Sequence, residues 1–168
     1  MNKITLLFLS LFLCFGLLAQ DYTESPWHIT ATDFNQNNYY GITVANGVVG
    51  LVSSPEPMRV KDVVLNGVYD NYQRGRVSNI LKTFSHMNMD LAINGQAVGN
   101  WNVQGYTQRL DMKEAKLITT FKISNKAEVK QELMSLRNLP YTSLSIIEIT
   151  ATQDIEIIAS NMITAPDH

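Results

Sequence analysis

Two pairs of carboxylates are the first residues in this sequence with the spacing to do chemistry. Asp111 and Glu114 stand three apart in RLDMKEAKL, and Glu128 and Glu132 four apart in AEVKQELMSLRN. A glycosidase sets two carboxyl groups across a sugar, roughly 5 to 9.5 Å apart, one to donate a proton and one to attack or to activate water. Spacing alone puts neither pair on a cavity, and acidic residues at a turn or on the wet face of a strand are the ordinary case. The three histidines, His28, His86 and His168, are not within metal-ligand spacing of one another, so a zinc site is not expected. No Gly-x-Ser-x-Gly, P-loop or dinucleotide fingerprint occurs, which removes the usual signatures of acyl transfer and nucleotide binding. The reading therefore assigns no catalytic residue, no metal and no cofactor.

Aromatic residues offer binding rather than catalysis. Trp101, in GNWNVQG, sits among Gly, Asn and Gln in a loop-like setting. An indole face combines apolar area with tolerance for polar edges, so Trp101 is the candidate carbohydrate contact. Its competing role is to close the edge of a sheet. Trp27 in SPWHIT is a weaker candidate, and Tyr39-Tyr40 and Arg74-Gly75-Arg76 read as surface decoration.

The elements that would hold these residues are strands. Asn-Gly recurs at 46–47, 66–67 and 94–95, each time between apolar runs. That dipeptide supplies the positive φ angles of a type I′ turn, whose twist suits two antiparallel strands. ITVA-NG-VVGL is the cleanest instance, and GVVG within it is a hairpin feature because no helix pattern follows. Farther on, Leu117, Thr119, Phe121 and Ile123 alternate onto one face, and SLSIIEITA and DIEIIAS are rich in β-branched residues, with Gln153-Asp154 as the expected turn between them. Only 127–138 argues back: Val129, Leu133 and Leu136 have helical spacing among good helix formers. Its strand-like neighbours and the Asn125-Lys126 tip favour a strand. With no crossover helix between strands, the fold class is all-β, a large antiparallel β-sandwich.

The chain opens MNKITLLFLSLFLCFGLLAQ, one cation followed by an apolar run and small residues. That is the plan of a secretory signal peptide, expected to be cut near Gln20. Lipidation at Cys14 is disfavoured by the bulky Leu11-Phe12-Leu13 before it. The expected divisions are residues 1–20 as signal peptide, 21–160 as the sandwich, and 161–168 as the start of a linker on a chain cut short. The product would be exported to the periplasm or the extracellular space, without a cysteine if cleavage falls there. Thirteen Lys+Arg against fifteen Asp+Glu give a net charge of −2. No basic field for nucleic acid and no polybasic membrane patch is present, so neither partner is expected after signal cleavage.

Several stretches then fall in a familiar order: W-x-I at 27–29, ANGVVG at 45–50, NGVYD at 66–70, DLAINGQ at 90–96 and YTQRLDMKEAKL at 106–117. The set resembles the N-terminal domain of glycoside hydrolase family 65, which includes maltose, trehalose and kojibiose phosphorylases and related hydrolases. Ala45 stands where that family often has Gly, and Val48-Val49 replaces an aromatic-Leu pair, so the chain looks like a divergent branch. The resemblance implies a β-sandwich of the galactose-mutarotase-like supersandwich kind. It also implies an α-linked glucose disaccharide as substrate, cleaved with inversion on a following (α/α)6 barrel that these residues do not include. No catalytic residue of the family can be placed here. The Asn46-Gly47 hairpin tip is the candidate contact with that barrel. Export suits a hydrolase better than a phosphorylase, and a homodimer is left open as the assembly. The alternatives are a stand-alone carbohydrate-binding sandwich, with Trp101 and tyrosines on one face, and a structural envelope domain.

Overall fold

The computed structural model describes residues 25–32, 34–70 and 79–166. The stretch 1–20, expected to be a signal peptide and containing Cys14, lies outside the described residues, as do the Arg74-Gly75-Arg76 stretch and His168. Twelve strands run in order: β1 His28–Ala31, β2 Thr43–Ala45, β3 Val49–Ser53, β4 Val60–Asp70, β5 Asn79–Thr83, β6 Ser85–Ile93, β7 Gln96–Ala97, β8 Val103–Asp111, β9 Lys116–Ile123, β10 Ala127–Ser135, β11 Ser143–Ala151 and β12 Ile157–Thr164. One 3-10 turn, Gln36–Asn38, is the sole helical element among the described residues. The fold is all-β, and every strand pairing is antiparallel.

The strands form three sheets, ordered β1-β8-β9-β10-β11, β2-β3-β4-β5 and β12-β6-β7. The five-stranded sheet is one layer of a sandwich, and the two smaller sheets lie side by side across it. β9 and β10 show how. Leu117 and Leu133 join Val44, Val49, Leu51, Val60 and Val63 in one core cluster, while Phe121, Ile123, Ala127 and Val129 join Leu91, Ile93 and Met58 in another. The period-2 alternation of these two strands therefore serves both small sheets, one half each. Leu117, Thr119, Phe121 and Ile123 are all buried, as their alternation predicts. Of the ambiguous 127–138 segment, residues 127–135 form a strand, with Val129, Gln131 and Leu133 inside and Lys130 and Glu132 outside. The seam between the small sheets is polar. The Val60 amide donates to Asn88 Oδ1 at 2.7 Å, the Met89 amide to the Met58 carbonyl at 3.1 Å, and the Arg59 guanidinium meets Asp90 at 2.5 Å.

The three Asn-Gly sites fold in three ways. Asn94-Gly95 is the expected two-residue turn, both residues at positive φ (51° and 74°) between Ile93 and its partner Gln96. At 46–47 the positive φ falls on Gly47 alone (92°), and the Asn46 amide donates to the Val49 carbonyl, so Gly47 and Val48 are the tip. That is the II′ arrangement, with Gly first, rather than I′. Asn66-Gly67 is not a turn. β4 runs through it, and the register against β5 slips between Val64 and Tyr69, with Gly67 at φ 85° absorbing the bulge. The pull is tertiary: the Asn66 amide and side chain both donate to the β2–β3 tip, onto the carbonyls of Val48 (2.8 Å) and Gly47 (2.9 Å).

Gln153-Asp154 also departs from expectation. It does not join a hairpin, because β11 pairs with β10 and β12 pairs with β6 in another sheet. Residues 152–156 cross between layers, held where Asn94 Oδ1 accepts from the Glu156 amide at 2.8 Å. β12 itself continues through Thr164, past the boundary expected at 160.

Candidate functional site

The residues singled out by sequence fall at two opposite ends of the five-stranded sheet. His28 pairs with Asp111 at one end of β8, and Val103 with Ile123 at the other. Over the length of β8 those ends are roughly 26 Å apart at about 3.3 Å per residue. Trp27 adjoins the first end and Trp101 the second, so the two indoles share no platform. Trp101 is 76% exposed. Its loop is shaped by Asn102, which accepts from the Gly99 amide at 2.9 Å and donates to the Ala97 carbonyl at 2.7 Å. The indole lies on Gly99, where an added Cβ would stand 2.2 Å from the ring. The glycine is thus the seat of the ring, which presents its remaining surface outward.

The other end gathers more. Asn46, the hairpin-tip candidate, uses both halves of its amide. Oδ1 accepts from the Val48 and Val49 amides, both at 2.9 Å, and Nδ2 donates to the carbonyls of Leu136 (2.8 Å) and Pro140 (2.9 Å). It shapes its own turn and latches it to the β10–β11 loop. Gly47, fully outside that latch, is exposed. Beside the latch a groove of about 280 Å³ is lined by Met112, Lys113, Glu114, Met134, Ser135 and Arg137.

Neither carboxylate pair forms a catalytic dyad. Asp111 Oδ1 accepts from the Lys113 and Glu114 amides, both at 3.0 Å, and Oδ2 lies 3.3 Å from His28 Nε2. The Glu114 amide first, and His28 after it, hold the Asp111 carboxyl below its ordinary pKa. Its work is to cap the 112–115 turn, where Ala115 takes φ 55°. Glu114 reaches Lys116 at 2.5 Å. Glu132 sits on the outer face of β10 between Lys130 (2.9 Å) and Lys116 (3.3 Å), which lower its pKa, and Glu128 stands 4.0 Å from Lys122. A cavity of about 230 Å³ on the sheet seam is lined in part by Arg59 and Asp62, whose ion-pair partners are Asp90 and Lys82. Among the described residues no three His, Cys, Asp or Glu side chains gather as metal ligands.

A buried polar cluster escaped the sequence reading. Gln108, 2% exposed, donates to the Ser54 carbonyl at 2.9 Å and to Tyr106 Oη at 3.1 Å, and accepts from Tyr39 Oη. Tyr39 also meets Ser53 Oγ at 2.5 Å, and burial raises the pKa of both phenols. Phe34 packs edge-on against Tyr106 at 4.1 Å. The 106–117 stretch therefore carries structural work: Tyr106 and Gln108 tie β8 to the 53–54 bend, and Asp111 caps the turn. A Gln placed at an inward position of an alternating strand was the available signal.

Fold and geometry together define an antiparallel β-sandwich, with loops organised at both ends. Comparison with known proteins then gives the lineage. The chain is 46% identical over 169 residues to the kojibiose hydrolase of Mucilaginibacter mallensis, covering 99% of this chain and 24% of that protein. It is 41% identical over 145 residues to the kojibiose hydrolase of Flavobacterium johnsoniae, covering 86% of this chain and 21% of that protein. No family model matches. The resemblance to glycoside hydrolase family 65 is borne out: the chain is homologous to a part of its kojibiose hydrolases. It spans between a fifth and a quarter of the length of these curated relatives.

Proposed function

We propose that this chain is the N-terminal, non-catalytic sandwich of an exported α-glucoside hydrolase that acts on kojibiose or a related α-linked glucose disaccharide. The observation that carries the reading is 46% identity to a kojibiose hydrolase along 99% of the chain. The carboxylates described above are engaged in turns and ion pairs, so cleavage falls to the remainder of the enzyme. There an acid protonates the leaving oxygen and a second carboxylate activates water on the opposite face, the inverting arrangement. The sandwich packs against that part through the end where Asn46 latches the hairpin tip, and Gly47 is the point of contact.

The test is a chimera in which this chain replaces the matching quarter of the Mucilaginibacter enzyme. Glucose release from kojibiose is expected from the chimera and not from this chain alone. A folded chimera with no turnover of kojibiose, trehalose or maltose would overturn the reading. A second reading, a stand-alone carbohydrate-binding sandwich, draws on the exposure of Trp101. It requires glucoside binding by this chain alone that is lost in Trp101→Ala.

A further inference from the structure

Among the described residues, the two strands joined by the 152–156 crossing, β11 and β12, are edges of different sheets, each paired on one side only. Both carry inward-facing residues that the core covers only in part. Ile157 lies opposite Ile93 and Ala159 opposite Leu91, partners 1% and 3% exposed, yet Ile157 is 45% exposed. Ile147 and Ile149 lie opposite buried Gln131 and Val129, yet they are only half-buried. On the opposite faces of the same strands, Ile146 across from Glu132 and Ile158 across from Ala92 are 47% and 55% exposed, and Ile163 near the end of β12 is 73% exposed.

A solvent-facing edge strand is normally blunted by Lys, Pro, a bulge or short length, because its free N–H and C=O groups recruit other strands. β12, IIASNMIT, is eight residues with no charge and no proline, its register regular from Ile157 to Met162 and irregular only at the Thr164 end, and β11, SLSIIEITA, has Glu148 alone. Exposed apolar residues gathered on two such edges mark an interface.

We propose that β11 and β12 are growth edges of the sandwich, each pairing with a further strand from the remainder of a kojibiose-hydrolase-length polypeptide. Apolar side chains of those strands close over Ile147, Ile149 and Ile157. The relatives are more than four times the length covered here, which supplies the occupant. The inference rests on the functional reading above and adds the surface through which the sandwich is completed.

Hydrogen exchange by mass spectrometry tests it, comparing this chain with the chimera. Edge amides of β11 and β12 are expected to exchange at least tenfold more slowly in the chimera, with β9 and β10 unchanged. Equal edge rates would overturn the proposal. So would edge protection in this chain alone that rises with concentration alongside a dimer mass, because a second copy would then be the occupant. Should the chimera not fold, the intact Mucilaginibacter enzyme and a fragment of it cut to match this chain give the same comparison. Kojibiose turnover separates the two readings. An active chimera with unprotected edges sinks only the growth-edge proposal, and an inactive one with protected edges sinks only the functional reading.

Discussion

β10 and β11 are neighbours in one sheet and alternate in the same way, yet they differ in what they bury. On β10, Val129 and Leu133 are 0% and 3% exposed; on β11, the residues facing the same side, Ile147 and Ile149, are half-buried. The difference is position. β10 has a strand on both sides and a sheet across from it, whereas β11 is an edge. Alternation decides which way a side chain points, and the number of covering neighbours decides how much water it loses. An apolar residue contributes in proportion to the area removed from water, so the same alternation contributes less stability on β11 than on β10.

Substitutions can break or sharpen that contrast. The largest effect is expected in the interior: Phe121, 1% exposed, should cost about 3–5 kcal/mol as Phe121→Ala, read as a lower urea midpoint. A loss below about 1 kcal/mol would mean that the centre is no better packed than the edge. Next comes the latch. Asn46→Ala removes four hydrogen bonds and should cost about 1–3 kcal/mol, with faster exchange in 136–142 and none in β9.

A smaller, signed effect belongs to Asp111. Its pKa is depressed on folding, so its contribution is present above the unfolded value of about 4 and is lost as pH falls through the lower folded value. Asp111→Asn keeps an oxygen for the turn amides and loses the charge. Urea midpoints between about pH 2 and 6 should therefore fall less steeply on acidification than those of the parent. Part of the slope should remain, because Glu132 is depressed as well. An unchanged slope would deny Asp111 that role. The smallest effect is at the open edge, where Ile158→Ser and Ile163→Ser should each change the stability of this chain by less than about 0.5 kcal/mol. A larger loss would show that the flank is already covered.

Much of the fold was legible because it is local. Alternation in 117–123 identified the buried face of β9, and Asn94-Gly95 made the type I′ turn of its dipeptide even with Glu156 bonded to Asn94 from outside the hairpin. The candidate site was less legible. Trp101 could be read as an exposed loop residue from its polar neighbours, but its seat on Gly99 depends on how the loop folds back. Asn46 was recognisable as a turn residue, while its bonds to Leu136 and Pro140 join positions some ninety residues apart. Gln108 looked like an ordinary polar residue until Ser54, Tyr106 and Tyr39 closed around it.

The sequence by itself determined the strand character of this protein and its antiparallel class, since period-2 patterning and turn dipeptides act over a few residues. Tertiary structure alone decided that Asn66-Gly67 would bulge rather than turn, because the hairpin tip takes its hydrogen bonds. It also decided that 152–156 would cross between layers, because β11 finds β10 and β12 finds β6. Those choices depend on which unpaired backbone groups meet across the sandwich, and dipeptide chemistry carries no information about partners that far away.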